Sequence, residues 1–196
     1  MRRLRPQSGW STRGQTLAEV GIALPLLIFL VVGTLQTGWV IYQGHVVRKT
    51  AREAVNLISR QVTFDDTETI VQGMQVYPGG AFDPNAKLIL TVLARGTSGL
   101  NNGKTIVVQR HSIGSVSGTS LFGNPGQGHF GAAPTYVAND QAGDTSLQVG
   151  SLPNGLQVQA NQVVYVAELF TSRSDLASLS FWNVSFPSTL YANAIF

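Results

Sequence analysis

The chain has 196 residues, 43% of them hydrophobic, with 13 Lys and Arg against 10 Asp and Glu for a net charge of +3. Arg2, Arg3, Arg5 and Arg13 supply four of those basic groups. The rest of the chain therefore holds nine basic against ten acidic side chains, and a nucleic-acid partner loses its electrostatic basis. Cysteine is absent, which excludes disulfides, thiolate metal sites and a thiol nucleophile.

Residues 1–14, MRRLRPQSGWSTRG, lack helical periodicity and contain Pro6, Gly9 and Gly14, so they read as an extended basic leader. From Val20 to Gly44 no charged residue occurs. A helix needs about 20 such residues to cross the hydrocarbon core of a bilayer, so this run reads as a membrane span. The basic leader argues for a cytoplasmic N-terminus and export of the chain beyond Gly44, although Arg48, Lys49 and Arg52 reduce the charge asymmetry. A secretory signal peptide is the rival reading; the apolar run exceeds the usual signal core, and TGWVIYQG offers no small-residue cleavage site.

Glu19 stands at the mouth of the apolar run, where a lone carboxylate in lipid is by default a functional candidate that needs a partner. The same letters also fit a capping box, with Thr16 as N-cap and Glu19 reaching back to it; both roles can hold together. Pro25 interrupts helical hydrogen bonding inside the span and marks a candidate bend used in packing. Gly21, Gly33 and Gly38 lack the GxxxG spacing of a helix-pairing motif.

After the interfacial anchors Trp39 and Tyr42, Val47, Ala51, Ala54, Val55 and Ile58 recur at helical spacing, with Arg48, Lys49, Arg52 and Glu53 on the other face. Residues 15–62 thus read as one transmembrane and stalk helix whose apolar stripe packs on a following domain. Asp65 and Asp66 predict the N-cap of a short helix running to about Val76 and stopped by Pro78-Gly79-Gly80. Strands are expected at Lys87 to Arg95 and Lys104 to His111, joined by GTSGLNNG, and again at Gln162 to Thr171 and Leu190 to Phe196. Residues 114–161 are rich in Gly, Ser, Asn and Pro, with weak strand signals at Thr135 to Ala138 and Ser146 to Val149, and read as a variable surface. The fold class is α+β: a long N-terminal helix on a small antiparallel sheet, with residues 63–196 as one exported domain.

Chemistry-bearing motifs are sparse. His45, His111 and His129 show no metal-ligand spacing, and the Asp65-Asp66 pair is better explained by capping than by acid–base work. GNPGQGHFG lacks the Lys-Ser/Thr of a phosphate loop, and Asn183-Val184-Ser185 reads as a chance glycosylation triplet. No catalytic residue, cofactor site or metal site is expected, and the chain does not read as an enzyme.

Arg13-Gly14-Gln15-Thr16-Leu17-Ala18-Glu19 resembles the processing site of type IV pilin-like proteins, cut by a prepilin peptidase after a glycine to leave glutamate as the fifth mature residue. The longer run RGQTLAEVGIALPLLIFLVVGTLQTGWVIYQGHVVRKTAREA is similar to the N-terminal region of the tight-adherence, TadE-like pilus-assembly proteins, pseudopilins of the Flp pilus system. VVYVAELF and TLYANAIF look like that group's C-terminal strands, whereas Val20 departs from the aromatic that many members carry after the glutamate. The resemblance implies a pilin-like fold, cleavage between Gly14 and Gln15, and an assembly role for Glu19 and Pro25. It implies as partners the prepilin peptidase, other pilins or pseudopilins, an inner-membrane assembly platform and lipid. A carboxylate about one helical turn from the new α-amine can pair with it, or with a neighbouring subunit's amine, and so set axial register. The alternative function is a membrane-anchored exported binding module with a Gly/Asn-rich recognition surface, which needs no cleavage.

Overall fold

The computed structural model describes residues 12–74, 82–172 and 189–196. Residues 1–11 of the leader, the Pro78-Gly79-Gly80 stop and the Asn183-Val184-Ser185 triplet lie outside them. The chain divides into two compact units between Ile41 and Tyr42.

The first unit is the apolar part of helix α1, Thr12–Ser59. Leu17 is 77% exposed and Ile22 76%, and Leu24, Leu26, Leu27, Phe29 and Leu30 are also exposed. Each such side chain gains about 1.5–3 kcal/mol on leaving water, so this surface calls for lipid or other helices. Two of its threonine hydroxyls are already served. That of Thr34 donates to the Leu30 carbonyl and that of Thr37 to the Gly33 carbonyl, at 2.8 and 2.9 Å. The helix continues through Pro25, whose missing N–H and bulky ring are directed at the carbonyl four residues back, that of Gly21. By length and composition this one helix can cross a membrane.

The second unit begins with the rest of α1. Val47, Ala51, Ala54, Val55 and Ile58, the expected stripe, are all buried, and they share one core with Leu88, Leu90, Val92, Ala167, Leu169, Ala192 and Ala194. Small residues on both sides, Ala51 and Ala54 against Ala167, Ala192 and Ala194, suit close packing of helix and sheet. The helix ends at Ser59, a little before the expected Val62, because Gln61 turns left-handed at φ 66°.

Helix α2, Phe64–Gly73, is capped by Thr63 rather than by Asp65 or Asp66: the Thr63 hydroxyl accepts from the Asp66 N–H, which puts both acids in the first turn, where the helix dipole favours them. A short helical turn, α3 (Phe82–Asn85), leads into the sheet. Four strands, β1 (Ala86–Arg95), β2 (Thr105–Ile113), β3 (Val163–Ser172) and β4 (Thr189–Ile195), lie in the order β2-β1-β3-β4, all antiparallel. All four match the expected strands to within two residues. Between β1 and β2 the register skips Val108, a bulge opposite Val92 and Leu93.

Residues 114–161 form no regular strand but a third layer. Phe122, Phe130, Leu147, Val149, Leu152 and Val158 are buried and pack with Leu93, Ile106, Val107 and Val166 on the sheet. This layer also closes the outer edge of β2, whose backbone would otherwise be an open pairing edge. Arg110 N–H donates to the Tyr136 carbonyl, Ala138 N–H to the Val108 carbonyl, and Val149 N–H to the Thr105 carbonyl. Asn101, fully buried in the β1–β2 connection, binds the same layer from the side. Its amide donates to the Gln141 and Asp144 carbonyls at 2.9 and 2.8 Å and accepts from Gln148.

Gly114 is the hinge between sheet and layer. Its φ is +87°, and a Cβ there would collide with the Ala86 carbonyl oxygen. Gly114→Ala therefore meets both backbone strain and a steric clash, and it should destabilise the domain by about 1–3 kcal/mol, read as a lowered thermal midpoint of the detergent-solubilised chain. An unchanged midpoint would mean that this hinge tolerates a side chain.

Candidate functional site

The expected processing and assembly residues all fall on α1. Gly14 is exposed and helical, near the N-terminal end of the described part of α1. The Gln15 side chain lies outside the described residues. Because the helix already runs from Thr12, Thr16 is interior and is not the N-cap of the uncut chain, and residues 12–14 are helical rather than extended. Glu19 is exposed and comes four residues after Gln15, one helical turn and about 6 Å of rise, so the two positions share a face. Pro25 is exposed on the same helix. The helix thus sets out Gly14, Gln15 and Glu19 along one turn and a half.

A second constellation, which spacing alone does not reveal, lies inside the domain. Arg110 on β2 is 3% exposed and Glu168 on β3 is fully buried. Both face the loop layer: Arg110 is paired across the sheet with Thr91, and Glu168 with Ile89 on the same side of β1. Arg110 donates to Thr91 Oγ1, to the Gly123 and Phe122 carbonyls and to Ser120 Oγ, all at 2.9–3.1 Å. Ser120 in turn donates to Glu168, which also accepts from the Leu121 N–H at 3.0 Å and the Tyr191 hydroxyl at 2.8 Å.

Burial brings the Arg110 guanidinium down to about 10, opposed by the nearby Glu168 charge, so it stays a cation at neutral pH. Burial, then the Glu168 charge, pushes the Tyr191 phenol up. Arg110, Ser120 and Glu168 are buried, and the network directs its donors mainly at the chain's own loop, which makes it structural.

Two histidine clusters complete the inventory. His129 Nδ1 lies 2.5 Å from Asp144 Oδ2, and Ser146 Oγ is 3.3 Å from the same nitrogen. A Ser-His-Asp catalytic relay needs serine and carboxylate on opposite ring nitrogens, so this arrangement has the right letters and the wrong geometry. It works as a turn, since Asp144 also caps the short 3-10 helix Thr145–Leu147 through the Ser146 N–H. The other cluster joins Asp65 and Glu68 of α2 to His111 of β2, with one donor atom of each within 4.8 Å of the others. Surface clefts of about 300 and 500 Å³ share Arg95. Among the described residues no catalytic geometry is present.

Substituting Glu168→Gln leaves Arg110 buried without its counter-charge and should cost about 3–5 kcal/mol in thermal or denaturant unfolding, whereas replacing Arg110 and Glu168 together by apolar residues should cost less than the two single changes summed. The Asp144 carboxyl is held below its ordinary range, first by the Ser146 hydroxyl and also by His129. A depressed acid stabilises the fold above its unfolded value and loses that effect as pH falls through its folded value. Between about pH 5 and about pH 2 the midpoint of Asp144→Asn should therefore fall less steeply than that of the parent chain.

Residues 14–56 match the family model described as TadE-like protein. No curated protein and no solved structure matches the chain. The matched run opens on Gly14 and takes in Glu19, Pro25, the apolar helix surface and the buried stripe as far as Val55. Over that segment the chain is similar to the TadE-like family, a family of pilus-associated proteins.

Proposed function

We propose that this protein is a minor pseudopilin of a tight-adherence, Flp-type pilus or a related secretion machine. A prepilin peptidase cuts it after Gly14, and it is held in the inner membrane by α1 with its sheet domain on the extracytoplasmic side. The observation that carries the reading is the family match that begins at Gly14, on a helix whose apolar side chains are largely exposed among the described residues. Cleavage makes an α-amine one turn from Glu19. In the low dielectric of the membrane, that carboxylate sets the axial register of one subunit against the next by meeting an amine.

In a host with its own peptidase, Gly14→Leu should leave the leader attached, as intact mass shows, while the parent chain begins at Gln15. Cleavage elsewhere, or none in the parent chain, would remove the processing claim. Glu19→Gln keeps size but loses charge. It should be processed and inserted normally while crosslinking to partner pilins drops, and parental levels of crosslinking would leave Glu19 without an assembly role.

A further inference from the structure

Asp65 and Glu68 are three residues apart in α2 and so share a face, and β2 brings His111 to that face. Glu68 Oε2 stands 3.1 Å from His111 Nε2, and a donor atom from each of the three residues lies within 4.8 Å of the other two. Ligands at about 2.0–2.2 Å around a tetrahedral zinc ion stand about 3.3–3.6 Å apart, so the His111–Glu68 separation is already close to bonding geometry. Small side-chain rotations of half-buried groups close the remainder.

The surroundings hold these donors in place. Gln72 donates to the other Glu68 oxygen at 2.8 Å, which leaves Oε2 directed at the imidazole. Tyr136 stacks on the His111 ring with centroids 4.0 Å apart and donates its hydroxyl to Asp65 Oδ1 at 2.6 Å. Ring orientation and carboxylate rotation are thus set by outer neighbours, as around protein-bound metals. Among the described residues no lysine or arginine forms an ion pair with Asp65 or Glu68; the ion pair there is made by His111. A histidine–glutamate pair by itself accounts for two of the three groups and leaves a second carboxylate converging on them without a cation.

We propose that Asp65, Glu68 and His111 bind one divalent first-row transition ion of the zinc class. An imidazole nitrogen among the donors favours such an ion over magnesium or calcium, which take oxygen. Three protein donors leave a fourth position for water, and the ion ties α2 to β2 beneath the Tyr136 ring. This inference is independent of peptidase processing and of pilus assembly.

The test is calorimetric titration of ZnCl2 into the full chain, purified in detergent and stripped with chelator, with MgCl2 as the comparison ion. The expected result is one Zn²⁺ per chain with no Mg²⁺ competition. Glu68→Gln and His111→Gln should each weaken binding by more than about tenfold. His129→Gln, which removes the other histidine–carboxylate pair, should leave it unchanged. Absence of Zn²⁺ binding by the parent chain, or undiminished affinity in both Glu68→Gln and His111→Gln, overturns the proposal.

Discussion

The domain depends on two buried charges that the sheet satisfies only in part, through Thr91 and Tyr191. Moving an ionised side chain out of water costs several kcal/mol unless hydrogen bonds replace its hydration, and Arg110 and Glu168 find those bonds in residues 120–123 and Tyr191. The dependence is mutual. Backbone groups of Leu121, Phe122 and Gly123, held against the sheet, need buried partners of their own, and the two charges supply them. A segment with few apolar residues and many glycines is thereby held in one conformation. Once it is held, Phe122, Phe130 and Leu147 can complete a core on that side of the sheet.

This explains how a domain without disulfides tolerates so much irregular backbone. A long connection orders only if its contacts offset the conformational entropy it loses, about 1–2 kcal/mol per residue of backbone. Here the connection repeatedly returns to the sheet: through the charges at 120–123, through ladder bonds from Tyr136, Ala138 and Val149 to β2, and through Asn101 at the hairpin. Each return shortens the free loop that remains to be closed. The edge of β2 is covered by the same bonds, so one device both orders the segment and removes a pairing hazard.

The helix presents two kinds of surface in succession. From Val20 to Ile41 its side chains are mostly apolar and mostly exposed, as suits a helix facing lipid, and the hydroxyls of Thr34 and Thr37 bond back to the helix. From Val47 onward the same helix is amphipathic, with one stripe in a protein core and arginine and lysine on the far side. The family match spans this change of surface, ending at residue 56 within the buried stripe.

The span, the stalk stripe and the four strands were legible in the sequence because each rests on local periodicity: an uncharged run longer than a bilayer core, a 3.6-residue stripe, and runs of β-branched residues. The resemblance at Gly14 to Glu19 was legible too, because a motif within one helical turn is contiguous in the chain. Thr63 as the true cap of α2 was a near miss, decided by which side-chain oxygen meets a free N–H rather than by residue type alone. What only the tertiary structure decided has no sequence period. Arg110 and Glu168 are far apart in the chain and meet through Ser120, while Glu68 and His111 meet because α2 lies over β2. Residues 114–161 read as surface by composition and pack as a layer, since burial there comes from long-range charge satisfaction, which a local window cannot see.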